Sequence, residues 1–230
     1  MAWVLRSTNN AGNNSGAALT IPMGAGIASG DLDLVAIYLE TDTNTIATPP
    51  SGYTLVQSGV NTGAFGLYLY YKIAGASEPS TSFTPTSSAW RTAVSACFSG
   101  GSGSGSFVDV TSAVSQADAV VNTSQTAPSV TTTAANDLLI WVYGNFSGNN
   151  PATTTGAAST VAVSFGGLSI AYATIASASA TGTTSPNAGI GTETYAAFHA
   201  AFLLTGAGGG GGATPVTPLF FQQANAVYRM

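Results

Sequence analysis

Residues able to do acid–base, nucleophilic or metal chemistry are few in this chain, and their spacing does not assemble a site. His199 is the sole imidazole and Cys97 the sole thiol. Zinc and copper sites draw on several Cys and His ligands, more than this chain has. A Ser-His-Asp triad would have to run through His199, and no Gly-x-Ser-x-Gly elbow accompanies it. His199 lies in Tyr195-Ala-Ala-Phe-His-Ala-Ala-Phe202, opposite in phase to Phe198 and Phe202, and reads as a structural strand residue. Cys97 cannot form an intramolecular disulfide and reads as a small buried strand residue rather than a reactive thiol.

The carboxylates are the next candidates. Asp31 and Asp33 are two apart and so share one face of a strand; Glu40 and Asp42 do likewise at its other end. Such pairs could serve glycoside hydrolysis or hold calcium with backbone carbonyls. No EF-hand spacing is present, and Asp137 recurs at a matching strand start, which favours a structural cap at that turn. The Gly-rich runs Gly100–Gly105 and Gly206–Gly212 lack the Lys-Ser/Thr and the following helix of a phosphate cradle. No catalytic, cofactor-binding or metal residue is therefore assigned, no cofactor is expected, and the chain reads as a non-enzyme. Trp3, Trp90, Trp141 and the cluster Tyr68, Tyr70 and Tyr71 could stack sugars or serve as core and subunit contacts. Tyr68 and Tyr70 are the candidate aromatic contact surface.

These residues sit on short strands. Asp33–Thr41, Phe65–Ala74, Trp90–Phe98, Asp137–Asn145, Leu168–Ala176 and Tyr195–Leu204 are rich in Val, Thr, Tyr and Phe, and turn clusters such as Thr48-Pro-Pro-Ser-Gly52 and Ser147-Gly-Asn-Asn-Pro151 separate them. In Leu67-Tyr-Leu-Tyr-Tyr-Lys-Ile73 the odd positions point to a core, and Tyr68, Tyr70 and Lys72 to a wetter or contacting face. A weak duplication is visible. Ser29–Val35 resembles Ala135–Trp141, Phe65–Ala74 resembles Phe165–Thr174, and Trp90–Gly100 resembles Ala196–Gly206. Neither half can cover its own apolar face, and pairing the two makes a sandwich. The expected fold is an all-β, jelly-roll-like β-sandwich over residues 1–205, with half-repeats at about 18–100 and 126–205. A Gly-rich linker (206–212) and an extended C-terminal arm (213–230) follow. The arm carries Val216, Leu219, Phe220, Phe221, Val227 and Tyr228 and one charge, Arg229. Burying each large side chain is worth about 1.5–3 kcal/mol, so the arm is expected to dock, either back on its own sandwich or, as the flexible tether favours, on a neighbouring subunit.

Composition narrows the partners. Charged residues make up 6% of the 230, against roughly 25% in ordinary soluble domains. Four scattered basic residues and a net charge of −5 argue against nucleic acid and anionic lipid as partners. No stretch is long and apolar enough for a membrane span. Met1-Ala-Trp-Val-Leu-Arg6 lacks the basic and apolar regions of a signal peptide, so assembly in a cytoplasm is expected.

Gly30–Ile37, Thr48–Thr54, Leu67–Ala74 with Glu78-Pro79, Trp90–Gly100, Thr126–Thr131 and Asn136–Ile140 together resemble a β-sandwich domain found in tailed-bacteriophage virion proteins and some bacterial surface proteins. The likeness spans about Ala18 to Gly206 and rests on strand and turn patterns, not on catalytic signatures. It implies a virion structural protein, foremost a capsid decoration (cement) protein assembled in the host cytoplasm. Its expected partners are the major capsid protein or another virion protein, and further copies of itself as a trimer or dimer. The other reading is a glycan- or receptor-binding module of a tail fibre or cell-surface protein.

Overall fold

The structure is a computed structural model that describes residues 2–13, 18–49, 51–61, 64–87, 89–101, 106–120, 125–186 and 192–204. Among these, every regular element is a strand. The linker and arm, with Val216, Leu219, Phe220, Phe221, Val227 and Tyr228, lie outside the described residues.

Two large antiparallel sheets carry the fold. The first runs β1 (Val4–Asn13), β8 (Arg91–Ser99), β3 (Leu32–Glu40), β6 (Phe65–Ile73), β5 (Thr54–Asn61). The second runs β10 (Ser115–Val120), β16 (Glu193–Phe202), β11 (Asp137–Asn145), β14 (Leu168–Ile175), β13 (Thr160–Phe165), with β9 (Val108–Thr111) also on β16. Their inner faces share one core. Leu32, Leu34, Ala36, Tyr38, Leu67, Leu69, Val94 and Phe98 meet Leu138, Ile140, Val142, Leu168, Ile170, Phe198 and Phe202. This is the expected sandwich. Each sheet is one contiguous half of the chain, so successive strands do not alternate between sheets as in a jelly roll.

The outer faces are covered too. β2 (Leu19–Ile21), β7 (Thr81–Pro85) and β4 (Ile46–Thr48) form a small sheet, and Leu19, Ile21 and Phe83 pack with Val35, Ile37, Leu39, Tyr68 and Tyr70. On the other side, β12 (Thr154–Gly156) pairs with β15 (Thr184–Pro186), and Ala127, Val130 and Ala158 pack with Leu139, Trp141 and Tyr143. Both sides of β3 and β11 are thus dry. That explains why Leu32-Asp-Leu-Val-Ala-Ile-Tyr-Leu39 and Leu138-Leu-Ile-Trp-Val-Tyr143 read as almost unbroken apolar runs instead of alternating ones.

The halves match closely, with β2 the one strand that has no counterpart strand among the described residues. β3, β4, β5, β6, β7 and β8 correspond to β11, β12, β13, β14, β15 and β16, and β1 corresponds to β9 and β10 together. Irregularities recur as well. The register shifts between Leu5 and Ser7 and again between Val108 and Val110; it shifts between Leu55 and Gln57 and again between Val161 and Val163. Gly30 (φ 91°) and Asn136 (φ 63°) take the same left-handed turn before β3 and β11, a conformation that Gly and Asn reach most easily. The structural register corrects the sequence alignment in two places. Leu67 corresponds to Leu168, one residue from the sequence match, because each pairs with the same position of its central strand, Tyr38 and Gly144. Phe98 corresponds to Phe202, two residues from the sequence match, because they pair with Leu32 and Leu138.

Candidate functional site

The polar residues that the sequence singles out fall into three buried groups and one exposed end. At the start of β3, Asp31 forms an ion pair with Arg6 (2.9 Å) and accepts from the Ala28 amide (2.8 Å) and, weakly, the Cys97 thiol (3.9 Å). Asp33 points to the outer face, where the Tyr53 hydroxyl donates to it and Thr81 lies 3.5 Å from that hydroxyl. Asp33 is fully buried and its other oxygen has no partner. Burial, only partly countered by Tyr53, pushes its pKa up to about 7. Burial and the neighbouring carboxylates push the Cys97 thiol up to about 12, so it is no nucleophile at neutral pH. Lys72 is committed to Glu78 (2.6 Å) and lies over the Tyr53 ring. Asp31 and Asp33, placed by the sequence at a strand end, are therefore buried parts of the fold.

His199 is the second group. It occupies the place of Ser95 in the other half, beneath the outer layer. The Ala158 amide donates to the Thr184 hydroxyl (2.9 Å), that hydroxyl reaches Nε2 (2.8 Å), and Nδ1 reaches the Pro128 carbonyl (2.7 Å). The chain is self-consistent for a neutral ring protonated on Nδ1, and burial holds its pKa down at about 4. With both nitrogens engaged and the ring buried, His199 is the structural strand residue that its phase suggests.

The third group is a pair of carboxyls, Asp137 at the start of β11 and Asp109 on β9. Thr133 holds Asp109 through its amide (2.7 Å) and its hydroxyl. Asp137 is fully buried, and burial together with Asp109 pushes its pKa up to about 7. Sequence reading passed over Asp109. The signal was a charge inside the apolar run Phe107-Val-Asp-Val110.

The exposed end lies where β3 and β11 finish. Glu193 ties down the turn after β11, accepting from Ser147 and from Asn149 (2.6 Å), while Asn145 and Asn149 bond reciprocally. Phe146, at the base of this turn, is 52% exposed; Trp90, bonded through its amide to Glu40 (3.1 Å), is 39% exposed. The Phe146 amide bonds Thr194, just as the Glu40 amide bonds Trp90, so the two rings flank corresponding strand ends of the two halves. Phe146 also went unnoticed in the sequence, although a large ring beside Ser147-Gly-Asn-Asn-Pro151 was visible there.

Of the other described aromatics singled out in the sequence, all but the half-buried Tyr71 are inside. Tyr68 and Tyr70, expected as a contact surface, are buried under β2 and β7, where Tyr70 packs on Phe83 and Tyr68 donates to the Asn44 carbonyl (3.3 Å). The alternation was read correctly, but the chain's own third layer covers the second face. Trp3 and Trp141 are buried as well.

No family model, curated protein or solved structure matches this chain. Among the described residues, no group of three or more His, Cys, Asp or Glu is placed to hold a metal ion, and no helix is long and apolar enough to cross a membrane. Charged side chains at the described surface are few: Arg6 and Asp118 are exposed, and Glu40, Asp42, Lys72, Glu78 and Asp109 are half-buried. Arg6 and Lys72 are paired and Arg91 is buried, while Asp31, Asp33, Asp137 and Glu193 are buried too. Besides hydroxyls and amides, the described surface exposes Val4, Leu55, Val60, Trp90, Phe146 and the carboxylate of Asp118.

Proposed function

We propose that this chain is a non-enzymatic structural protein of a bacteriophage virion. In this reading it is a capsid decoration protein that stabilises the head through contacts with the major capsid protein or another virion protein and with further copies of itself. The observation that carries the reading is the burial of its lone imidazole, its lone thiol and four of its carboxylates inside the fold. The buried carboxylates, His199 and Cys97 serve the fold, and the three described cations are paired or buried. Such an exterior suits close packing among subunits better than ionic recognition. The resemblance to virion β-sandwich domains supports the same reading. Trp90 and Phe146 give one end a contact surface. β16 finishes at the opposite end, where the Leu203 amide bonds the Phe107 carbonyl. Twenty-six residues beyond Leu204 can span at most about 90 Å when extended, enough to reach an adjoining subunit. The second reading, a glycan-binding module, loses Tyr68 and Tyr70 to the interior.

Truncation tests the arm. A chain lacking Ala213–Met230 keeps its circular dichroism and thermal midpoint but occupies particles at a small fraction of the full chain's level when the two compete. Full occupancy by the truncated chain contradicts the proposal.

A further inference from the structure

The duplication lets one half serve as a reference for the other, and the comparison isolates one place. Arg6 and Asp109 occupy the same bulge, each on the strand that borders the last strand of its half. Asp31 and Asp137 begin the matching central strands after the same left-handed turn. In the first half this geometry makes an ion pair of 2.9 Å. In the second half the cation is replaced by a carboxylate, so an acid faces an acid.

Asp137 is fully buried, and its carboxyl has only the Asp109 carboxyl and the Ala134 backbone for polar company, with no well-aligned hydrogen bond to either oxygen. Thr133 fixes Asp109 with two donors, and Asp109 itself is half-buried. Two carboxylates held together repel unless a proton or a cation joins them. No described side chain supplies the cation, since Arg6 and Lys72 are paired with Asp31 and Glu78 and Arg91 is buried at the start of β8. We propose that Asp109 and Asp137 bind a divalent cation of the calcium type, which stands where Arg6 stands in the first half. Hard oxygen donors in an irregular arrangement suit calcium, with water completing the coordination. Asp109, half-buried, leaves a way in from solvent. With only two carboxylates the affinity belongs to the weak class, a Kd of roughly 0.1–1 mM.

Trp3 provides the readout. Its indole N–H bonds the carbonyl of Asn136 (3.1 Å), the residue before Asp137, so terbium bound by the pair lies close enough to be sensitised by the indole. The full chain is expected to give Trp-sensitised terbium luminescence that calcium displaces. Its thermal midpoint is expected to rise about 3–6 °C when calcium is tenfold above Kd. Asp109→Asn keeps the circular dichroism of the fold and loses both responses. Asp109→Arg, which copies the first half, raises the midpoint without calcium and no longer responds to it. Absence of luminescence and of any calcium-dependent shift in the full chain overturns the proposal and leaves the two acids sharing a proton. Responses that persist in Asp109→Asn also overturn it.

Discussion

Asp33 is the residue whose surroundings contradict its type. A fully buried carboxyl with one hydrogen bond, from Tyr53, is easier to bury neutral than ionised, and its folded pKa of about 7 lies above the ordinary value of 3.8. Between those values the folded chain holds a proton that the unfolded chain releases. Asp33 therefore contributes stability that is complete below about pH 4 and is lost as pH rises to about 7. His199 works in the opposite sense, because its folded pKa of about 4 lies below its ordinary 6.5, and stability from it grows as pH rises between the two. A comparison of the wild type with Asp33→Asn cancels the histidine. Urea midpoints at pH 5 and pH 8 are expected to show the wild type losing stability relative to the variant, on the order of 3 kcal/mol. Equal pH dependence in the two proteins contradicts the burial argument. The sequence displayed Asp33 as half of a strand-end pair and gave no sign that Tyr53, twenty residues on, would cover it.

At the scale of elements, alternation and turn chemistry located the long strands well. Asp137–Asn145 is β11 to the residue, and Phe65–Ala74 and Leu168–Ala176 each overrun their strands by one. The short covering strands β2, β4, β7, β12 and β15 were not legible, since each has three to five residues and too few alternations to show a period. That gap is why Tyr68 and Tyr70 looked like a surface. The contact between sheets is tight at Gly144, where an added Cβ would lie 3.1 Å from Leu67 Cδ1 and 3.4 Å from Phe65. Gly144→Val should push the sheets apart there and cost about 1–3 kcal/mol, read as a lowered midpoint in chemical denaturation. A neutral substitution would mean that the core at this end is looser than the contacts indicate.

For the molecule as a whole, the legible facts were the scarcity of charge and the duplication, and they belong together. Each half makes a sheet with two apolar faces. One face pairs with the other half, and the half's own short strands and connecting segments cover the second. Few charges are needed inside, and those present are spent on turns and strand ends, as Asp31, Asp137, Glu193 and Arg91 show. The address of the protein was not legible by the same route, because scattered hydroxyls, amides and single exposed rings leave no spacing motif in the sequence. The resemblance to virion sandwiches supplies that address as a proposal, and copy number tests it most directly. Quantitative mass spectrometry of purified particles should find this chain in fixed stoichiometry with the major capsid protein, retained through density-gradient banding. Particles that band without it, while the chain remains free in the lysate, would contradict the account.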